Sequence, residues 1–313
     1  MDNSPAAREI AVLGGTGFLG RHICEAFQAR KTGVAVISYR PDYGFLAKHA
    51  PLSVAHEIGS DAAFDALKQA KVILYFGHRS RPASNVAAGT YEIEQNIRPA
   101  IELCSFLEGA GSSPSVVYAS SGGQIYGLGH TGPIPETAPS APVTPYGLGK
   151  QLIEDALRYY ARKGVLRATI LRMGNPVGHW QLGGRHGLVA VAVMAALRQA
   201  PVTLFGAGDN VRDYFDARDL ALFVAALALG GAPPEGTFNI GSGSGWTETQ
   251  ILKVVGQTLQ CEIAIERQPA RPFDLPYAVL DVASARGLLG WSPATTLEHT
   301  IMSLRQKALE AGA

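Results

Sequence analysis

A chain of 313 residues is long enough to bury a large core, as one big domain or as two unequal ones. Its composition is globular, 47% apolar and 17% charged, and a formal net charge of +1 provides no bulk field for nucleic acid or an anionic membrane. Cys24, Cys104 and Cys261 show no Cys-x-x-Cys spacing and the eight histidines are scattered, which argues against a disulfide framework or a metal site and fits a reduced cytoplasm.

The longest apolar run, residues 188–197, is too short to cross a membrane, and residues 1–8 lack the apolar core of a secretion signal. Residues 9–13 read as a short buried strand running into Gly14-Gly15-Thr16-Gly17-Phe18-Leu19-Gly20. Residues 21–30 continue as a helix with Ile23 and Phe27 on one face. Strand, glycine turn and helix are the context that a dinucleotide fingerprint requires. Gly14 allows the turn, Gly17 lets backbone approach a pyrophosphate, and Gly20 lets helix pack on strand. The free amides at the helix start, from Thr16 through Leu19, then face phosphate. The bland alternative is a purely structural glycine turn.

Residues 33–38 form the second predicted strand. An NAD-binding chain usually ends this strand with an acid that bonds the adenosine ribose. Ser38 stands there instead and Arg40 follows, which suits a 2′-phosphate and favours NADP over NAD. Alternatively Arg40 is an ordinary loop cation and NAD binds without the acidic contact. A third strand ends near Ile58, and Asp61 beyond it either meets the adenine or caps the helix over residues 62–69. Residues 71–76 are an apolar strand ending at Gly77, whose position off the strand end places it near the cofactor. Residues 78–85 are polar, a candidate wall of the substrate site. A long helix is predicted over residues 90–108, with Asn96, a further candidate cofactor contact, inside it.

Another buried strand, residues 115–119, leads to Ser120-Ser121-Gly122-Gly123-Gln124-Ile125-Tyr126-Gly127. Residues 132–145 read as a loop that delivers Tyr146. Tyr146 and Lys150 lie four apart at the start of a helix continuing to Lys163, so they share a face. A free tyrosine, with a pKa of about 10, is a poor base. A nearby ammonium lowers that value. The pair can move a proton on or off a hydroxyl while a nicotinamide carries the hydride. A helix start with a solvated lysine is the bland alternative.

Alternating strands and helices with a parallel-sheet pattern run to about residue 170. A further strand, residues 168–171, precedes Arg172-Met173-Gly174-Asn175-Pro176-Val177-Gly178. The remainder is mixed: helices over residues 188–198, 219–229 and 247–259, strands over 202–204, 237–240 and 262–265, a loop at Arg271-Pro272-Phe273-Asp274, and closing helices. This predicts an α/β protein with a Rossmann-type doubly wound parallel sheet over residues 1–172 and a smaller mixed C-terminal substrate-binding region over 173–313, with segments around 210–240 returning to the first domain.

Together these segments resemble the extended short-chain dehydrogenase/reductases, and among them the nucleotide-sugar epimerase and dehydratase group. The markers are Gly14-x-x-Gly17-x-x-Gly20, Ser120-Ser121 ahead of Ile125-Tyr126-Gly127, Tyr146-x-x-x-Lys150, Asn175 within residues 171–178, Arg212-Asp213-Tyr214, Asn239-Ile240-Gly241-Ser242-Gly243 and Leu289-Gly290-Trp291-Ser292-Pro293. The resemblance implies a nicotinamide cofactor, NAD(P), and a nucleoside-diphosphate sugar. It implies that Tyr146 is the acid/base at the sugar C4 hydroxyl and that Lys150 orients the nicotinamide ribose. It further implies that Asn175 meets the diphosphate, that Arg212 and Arg271 grip phosphate, and that a homodimer forms through the helices at 90–108 and 146–163. Guanidinium forks are suited to phosphate oxygens on their own chemistry.

Two departures narrow the activity. Many relatives carry Ser or Thr where this chain has Gly122, so the hydroxyl that bridges sugar O4 and the tyrosine is missing there; Ser121 or Gln124 can substitute, Ser121 the favoured one, and the alternative is that Ser120 and Ser121 are strand-end residues without a catalytic role. Dehydratases place Asp-Glu where Gly123 and Gln124 stand, so 4,6-dehydration is not expected. What remains is a nucleotide-sugar 4-epimerase, with an NADPH-dependent 4-ketoreductase as the rival and a non-catalytic NAD(P)-binding protein as the alternative of another class.

Overall fold

A computed structural model describes residues 9–81, 89–181 and 187–312. Part of the predicted polar wall at residues 78–85 therefore lies outside the described residues.

The strands of the main sheet are β1 (Ile10–Leu13), β2 (Ala35–Ser38), β3 (Val54–Glu57), β4 (Val72–Tyr75), β5 (Ser115–Ser121), β6 (Arg167–Met173) and β10 (Gly236–Ile240). Their spatial order is β10-β6-β5-β4-β1-β2-β3, with parallel registers from β3 through β5. β1, β2 and β4 are buried at every position, as expected of strands covered on both faces. The order reverses between β1 and β4, so the crevice off their C-terminal ends is the ligand position of a doubly wound sheet. The α/β, Rossmann-type reading of the sequence thus agrees with the architecture.

The covering helices start where the chemistry of their caps dictates. In α1 (Phe18–Ala29) the cap is Gly17, with no side-chain bond, so the helix begins three residues before the predicted Arg21. Asp42 caps α2 (Tyr43–His49). Ser60 caps α3 (Asp61–Gln69), which removes Asp61 from the cap position considered above. Thr144 accepts from the Gly147 amide and Pro145 occupies the first turn of α7 (Pro145–Arg162). The helix predicted as continuous over residues 90–108 is interrupted. A short α4 (Gly89–Glu92) passes through a wide π turn at Ile93–Ile97 into α5 (Arg98–Ala110), which Gly111 ends at φ 64°.

Two compact units result. The first comprises Met1–Ser121, Thr144–Arg172 and Leu220–Phe238. One core of this unit joins Ala11, Leu13, Ile37, Ile73, Tyr118, Leu107, Ile153 and Leu157 from sheet and helices.

The second unit comprises Gly122–Val143, Met173–Asp219 and Asn239–Ala313. It contains α6 (Gly122–Ile125), β7 (Asn175–Val177), α8 (Leu188–Arg198), β8 (Val202–Phe205), β9 (Val211–Asp216), β11 (Gly245–Thr247), α10 (Glu248–Leu259), β12 (Ile265–Gln268), β13 (Tyr277–Ala278) and α11 (Leu297–Glu310). α9 (Ala217–Leu229) begins in this unit and runs on into the first. β9 is central, paired with β7, β11 and β13. β12 pairs with β8 three residues later in the chain than the strand predicted at 262–265. Its four residues are exposed, so no buried pattern marked its bounds. No helix among the described residues is long and apolar enough to cross a membrane.

Candidate active site

At the crevice between β1 and β4 the glycines are required by contact. A β-carbon on Gly14 would lie 2.6 Å from the backbone of Gly77, and one on Gly20 would lie 2.2 Å from the Gly14 carbonyl oxygen. Gly14 also adopts φ 83°. The amides that open α1, at Phe18, Leu19 and Gly20, have no side-chain cap at Gly17. A bare helix N-terminus behind a turn with no room for side chains fits a dinucleotide pyrophosphate.

Thr16, Ser38 and Arg40 converge beside this turn. The Thr16 amide donates to the Ser38 hydroxyl at 3.3 Å, and the Thr16 hydroxyl donates to the Arg40 carbonyl at 3.3 Å. Ser38 is buried and Arg40 is exposed. Arg40 makes no ion pair among the described residues. The nearby acid, Asp42, is engaged by the Arg21 guanidinium at 2.5 Å. Phe45's amide and burial act most strongly on Asp42, and with Arg21 the balance holds its carboxyl below the usual range. Asp61 sits exposed in the first turn of α3.

In the same unit, α7 brings Tyr146 to the end of β5. The Tyr146 phenol interacts with the Ser121 side chain, which favours its ionised form. Lys150 donates to the Ala119 carbonyl at 2.7 Å, with its ammonium 5.6 Å from the Tyr146 ring centre and 5.0 Å from that of Tyr118. The expectation that Lys150 lowers the Tyr146 pKa is not met in the free protein. Burial pushes the Tyr146 phenol up, Ser121 opposes the rise, and Glu92 adds to it. Burial also pushes Lys150 down, to about 7, against the pull of Glu92 and Glu154.

The sequence reading missed Glu92. Its carboxylate accepts from the Asn96 amide at 2.8 Å, and its Oε2 lies 3.4 Å from His78 Nε2. The latter is an ion-pair distance without hydrogen-bond alignment: among the described residues, neither ring nitrogen of His78 has a hydrogen-bond partner. The His78 ring stands edge-on to Tyr146, centres 5.0 Å apart. Asn96 itself holds the loop, accepting from the Arg79 amide at 2.8 Å, so both ends of its amide are engaged by protein. The signal available in the sequence was the spacing Glu92-x-x-x-Asn96 on one helical face. A second buried carboxylate, Glu154, is held by Ser120 at 2.6 Å and by the Arg172 fork at 3.0 and 2.8 Å.

In the second unit, Asn175 starts β7 opposite Tyr214 of β9, and Arg212 lies two residues before Tyr214 on the same strand. Arg212 feels the charges of Glu248, Asp274 and Arg271, so the structure brings the two arginines into one cluster. Arg271 is paired bidentately with Asp274 at 2.8 and 2.9 Å and lies over the Phe205 ring at 4.2 Å. The space of the hydroxyl absent at Gly122 is filled: a β-carbon there would lie 2.6 Å from Leu280 Cδ1. Other sequence markers are internal ties. Asp213 accepts from the Ser242 amide at 2.7 Å and its hydroxyl at 2.6 Å. Trp291 donates to the Gly241 carbonyl at 2.7 Å, and Tyr126 to Asn239 at 2.7 Å.

A doubly wound sheet with a glycine cradle at its switch point and a half-buried tyrosine beside buried Ser121 and Lys150 defines the class of nicotinamide-dependent dehydrogenase-like proteins. The model of the NAD dependent epimerase/dehydratase family matches residues 10–241, and the chain belongs to that family. A UDP-glucose 4-epimerase of Rhizobium leguminosarum bv. trifolii is 28% identical over 95% of this chain and 96% of its own. A dTDP-4-dehydro-6-deoxyglucose reductase of Escherichia coli is 25% identical over 94% and 96%. Among solved structures, a Thermus thermophilus UDP-glucose 4-epimerase in complex with NAD superposes with a TM-score of 0.83 at 26% identity, covering 97% of this chain and 99% of that one.

Proposed function

We propose that the protein is a nucleotide-sugar 4-epimerase that keeps a nicotinamide dinucleotide bound and acts through Tyr146. The observation that carries the reading is Lys150 tied by a 2.7 Å hydrogen bond to the Ala119 carbonyl of β5, one helical turn from Tyr146, whose phenol interacts with Ser121 of the same strand. Tyr146 acts as the phenolate, which Lys150 and the positive charge of a bound oxidised nicotinamide would favour against burial; it takes the proton from the sugar C4 hydroxyl and returns it after the 4-keto sugar has turned. Ser121 holds the hydroxyl in line. When bound, the nicotinamide supplies the acceptor and donor of the C4 hydride. The pyrophosphate of that cofactor is assigned to the turn Gly14–Gly20 and the start of α1, with Gly77 alongside and Asn96 shaping the adjoining loop. Lys150 is the donor to the nicotinamide ribose.

Arg212, Arg271 and Asn175 are assigned to the diphosphate of the sugar nucleotide, Arg271 exchanging or sharing Asp274 with phosphate. The absence of carboxylates at Gly123 and Gln124 supports epimerisation over 4,6-dehydration. UDP-glucose, the substrate in the name of one relative, is the first compound to try. Formation of UDP-galactose without added cofactor, followed by NMR of the C1 proton, tests the reading; no exchange with any 4-hydroxy sugar nucleotide sinks it.

A second reading is favoured by Ser38 and Arg40, which replace the ribose-binding acid and point to NADP. On this reading the chain is an NADPH-dependent 4-ketoreductase of 4-keto-6-deoxy sugar nucleotides. Denaturing the purified protein and identifying the nicotinamide released separates the two, since stoichiometric NAD belongs to a recycling epimerase. A homodimer through α5 and α7 is part of the proposal, supported by exposed Ile101, Leu148, Leu152 and Tyr159. A monomer in light scattering counts against it. The cytoplasm is the proposed compartment, consistent with the unpaired Cys24, Cys104 and Cys261.

A further inference from the structure

Two carboxylates are buried around Tyr146 and Lys150, and they differ in how they are neutralised. Glu154 faces two arginines, Arg172 at 2.8 Å and Arg158 at 2.7 Å. Among the described residues, the basic side chain at ion-pair distance from Glu92 is His78, and no guanidinium fork reaches it. Its hydrogen bonds come from neutral groups, the Asn96 amide and the Ser80 hydroxyl.

The approach of Glu92 to α7 depends on a missing side chain. A β-carbon on Gly149 would lie 2.6 Å from Glu92 Oε2 and 3.4 Å from Glu92 Cβ. Glu92 therefore packs on the backbone of the residue before Lys150, inside the helical turn that joins Tyr146 to Lys150. An isolated ammonium in such a place is driven to neutrality by desolvation.

We propose that Glu92 is a positioning residue: its buried carboxylate, seated on Gly149 by Asn96, Ser80 and His78, is the counter-charge that keeps Lys150 an ammonium ion in the active site. The proposal deepens the reading of Tyr146 and Lys150 as the working pair. The groups around it are His78 and Ser80 after β4, Tyr75 on β4, Glu92 and Asn96 on the α4–α5 bend, Tyr118, Ser120 and Ser121 on β5, Tyr146, Lys150 and Glu154 on α7, and Arg172 on β6. Burial tends to raise the Glu92 carboxyl, but the pull of the nearby His78, Ser80 and Asn96 holds it below the usual range, so it is charged at neutral pH. Burial and the charge of Lys150 push His78 down to about 4 against the pull of Glu92, so the imidazole is neutral there and leaves the Glu92 charge uncancelled. Lys150 remains partly ionised near neutrality through Glu92 and Glu154, of which only Glu154 is matched by arginine.

The test reads Lys150 directly and needs no substrate, so its failure leaves the epimerase reading standing. The chain has eight lysines, and selective 13C,15N-lysine labelling with Lys150→Met for assignment gives a resolvable NMR titration. Glu92→Gln keeps the shape and can still bond Asn96 and Ser80. Its Lys150 midpoint is expected to fall by about 1 pH unit or more relative to wild type. A merely structural role for Glu92 would leave the midpoint where it was, and an unchanged midpoint in folded Glu92→Gln protein overturns the proposal. Should that variant not fold, the wild type decides. A Lys150 midpoint near 7 or above supports the counter-charge, and one at about 5–6, the behaviour of an uncompensated buried lysine, removes it.

Discussion

Leu280 occupies the space that a side chain on Gly122 would need, with its Cδ1 2.6 Å from the β-carbon position. The glycine is therefore half of a packing pair, and a hydroxyl cannot simply be introduced there. Gly122→Ser is expected to lose about 1–3 kcal/mol of stability through overpacking and to gain no activity. Gly122→Ser with Leu280→Ala is expected to recover part of the loss by relieving the contact. Urea unfolding of both variants measures this; a Gly122→Ser protein as stable as wild type would contradict the contact.

Ser121 is the hydroxyl that acts on Tyr146. Ser121→Ala removes a hydrogen bond to a group that carries charge during proton transfer, about 1.5–3 kcal/mol, or roughly ten- to a hundred-fold in kcat. Tyr146→Phe removes the proposed acid/base and is expected to cost about 10²–10⁴-fold with cofactor binding retained. Steady-state rates, with fluorescence of bound reduced cofactor as the binding measure, check the pair.

His78 gives the fold a pH dependence of definite sign. Its folded-state pKa of about 4 lies below the value of 6.5 expected when unfolded, so the unfolded chain binds the extra proton between those limits. Stability is complete above pH 6.5 and falls as the pH drops towards 4, by on the order of 3 kcal/mol from this group. His78→Asn is expected to flatten that slope. Urea midpoints across this range measure it, and equal slopes in both proteins would refute the assignment.

Arg40 is exposed beside Thr16 and Ser38, while Asp42 is already engaged by Arg21. If the site takes a 2′-phosphate, Arg40→Ala should weaken NADPH binding about ten-fold or more and leave NADH nearly unchanged. Parallel titrations with the two cofactors decide between them; equal losses for both, or none for either, remove Arg40 from the specificity argument.

The cofactor cradle was legible because its glycines are demanded by backbone contacts that no other residue tolerates, and because buried strands flank it. The start of α1 was displaced because Gly17 caps through backbone alone and leaves no side-chain signal. β9 escaped notice since its inward groups include Asp213, a polar residue whose partners at Ser242 and Gly243 lie about thirty positions away in sequence. Glu92 escaped for a related reason. A glutamate on a helix reads as solvated, and nothing local reveals that Gly149 has vacated a place for it. Periodicity reports burial of apolar faces; it is silent on charges buried against a distant glycine.

The edge of the main sheet carries a consequence for synthesis. β10, the neighbour of β6, is contributed by Gly236–Ile240, more than sixty residues after β6 ends. While the ribosome is still making the intervening stretch, β6 presents an open row of amides and carbonyls with no native strand to pair with. A chain stopped before residue 236 would carry that sticky border permanently. Nascent chains halted in this window should therefore be the species that chaperones retain and that aggregates collect.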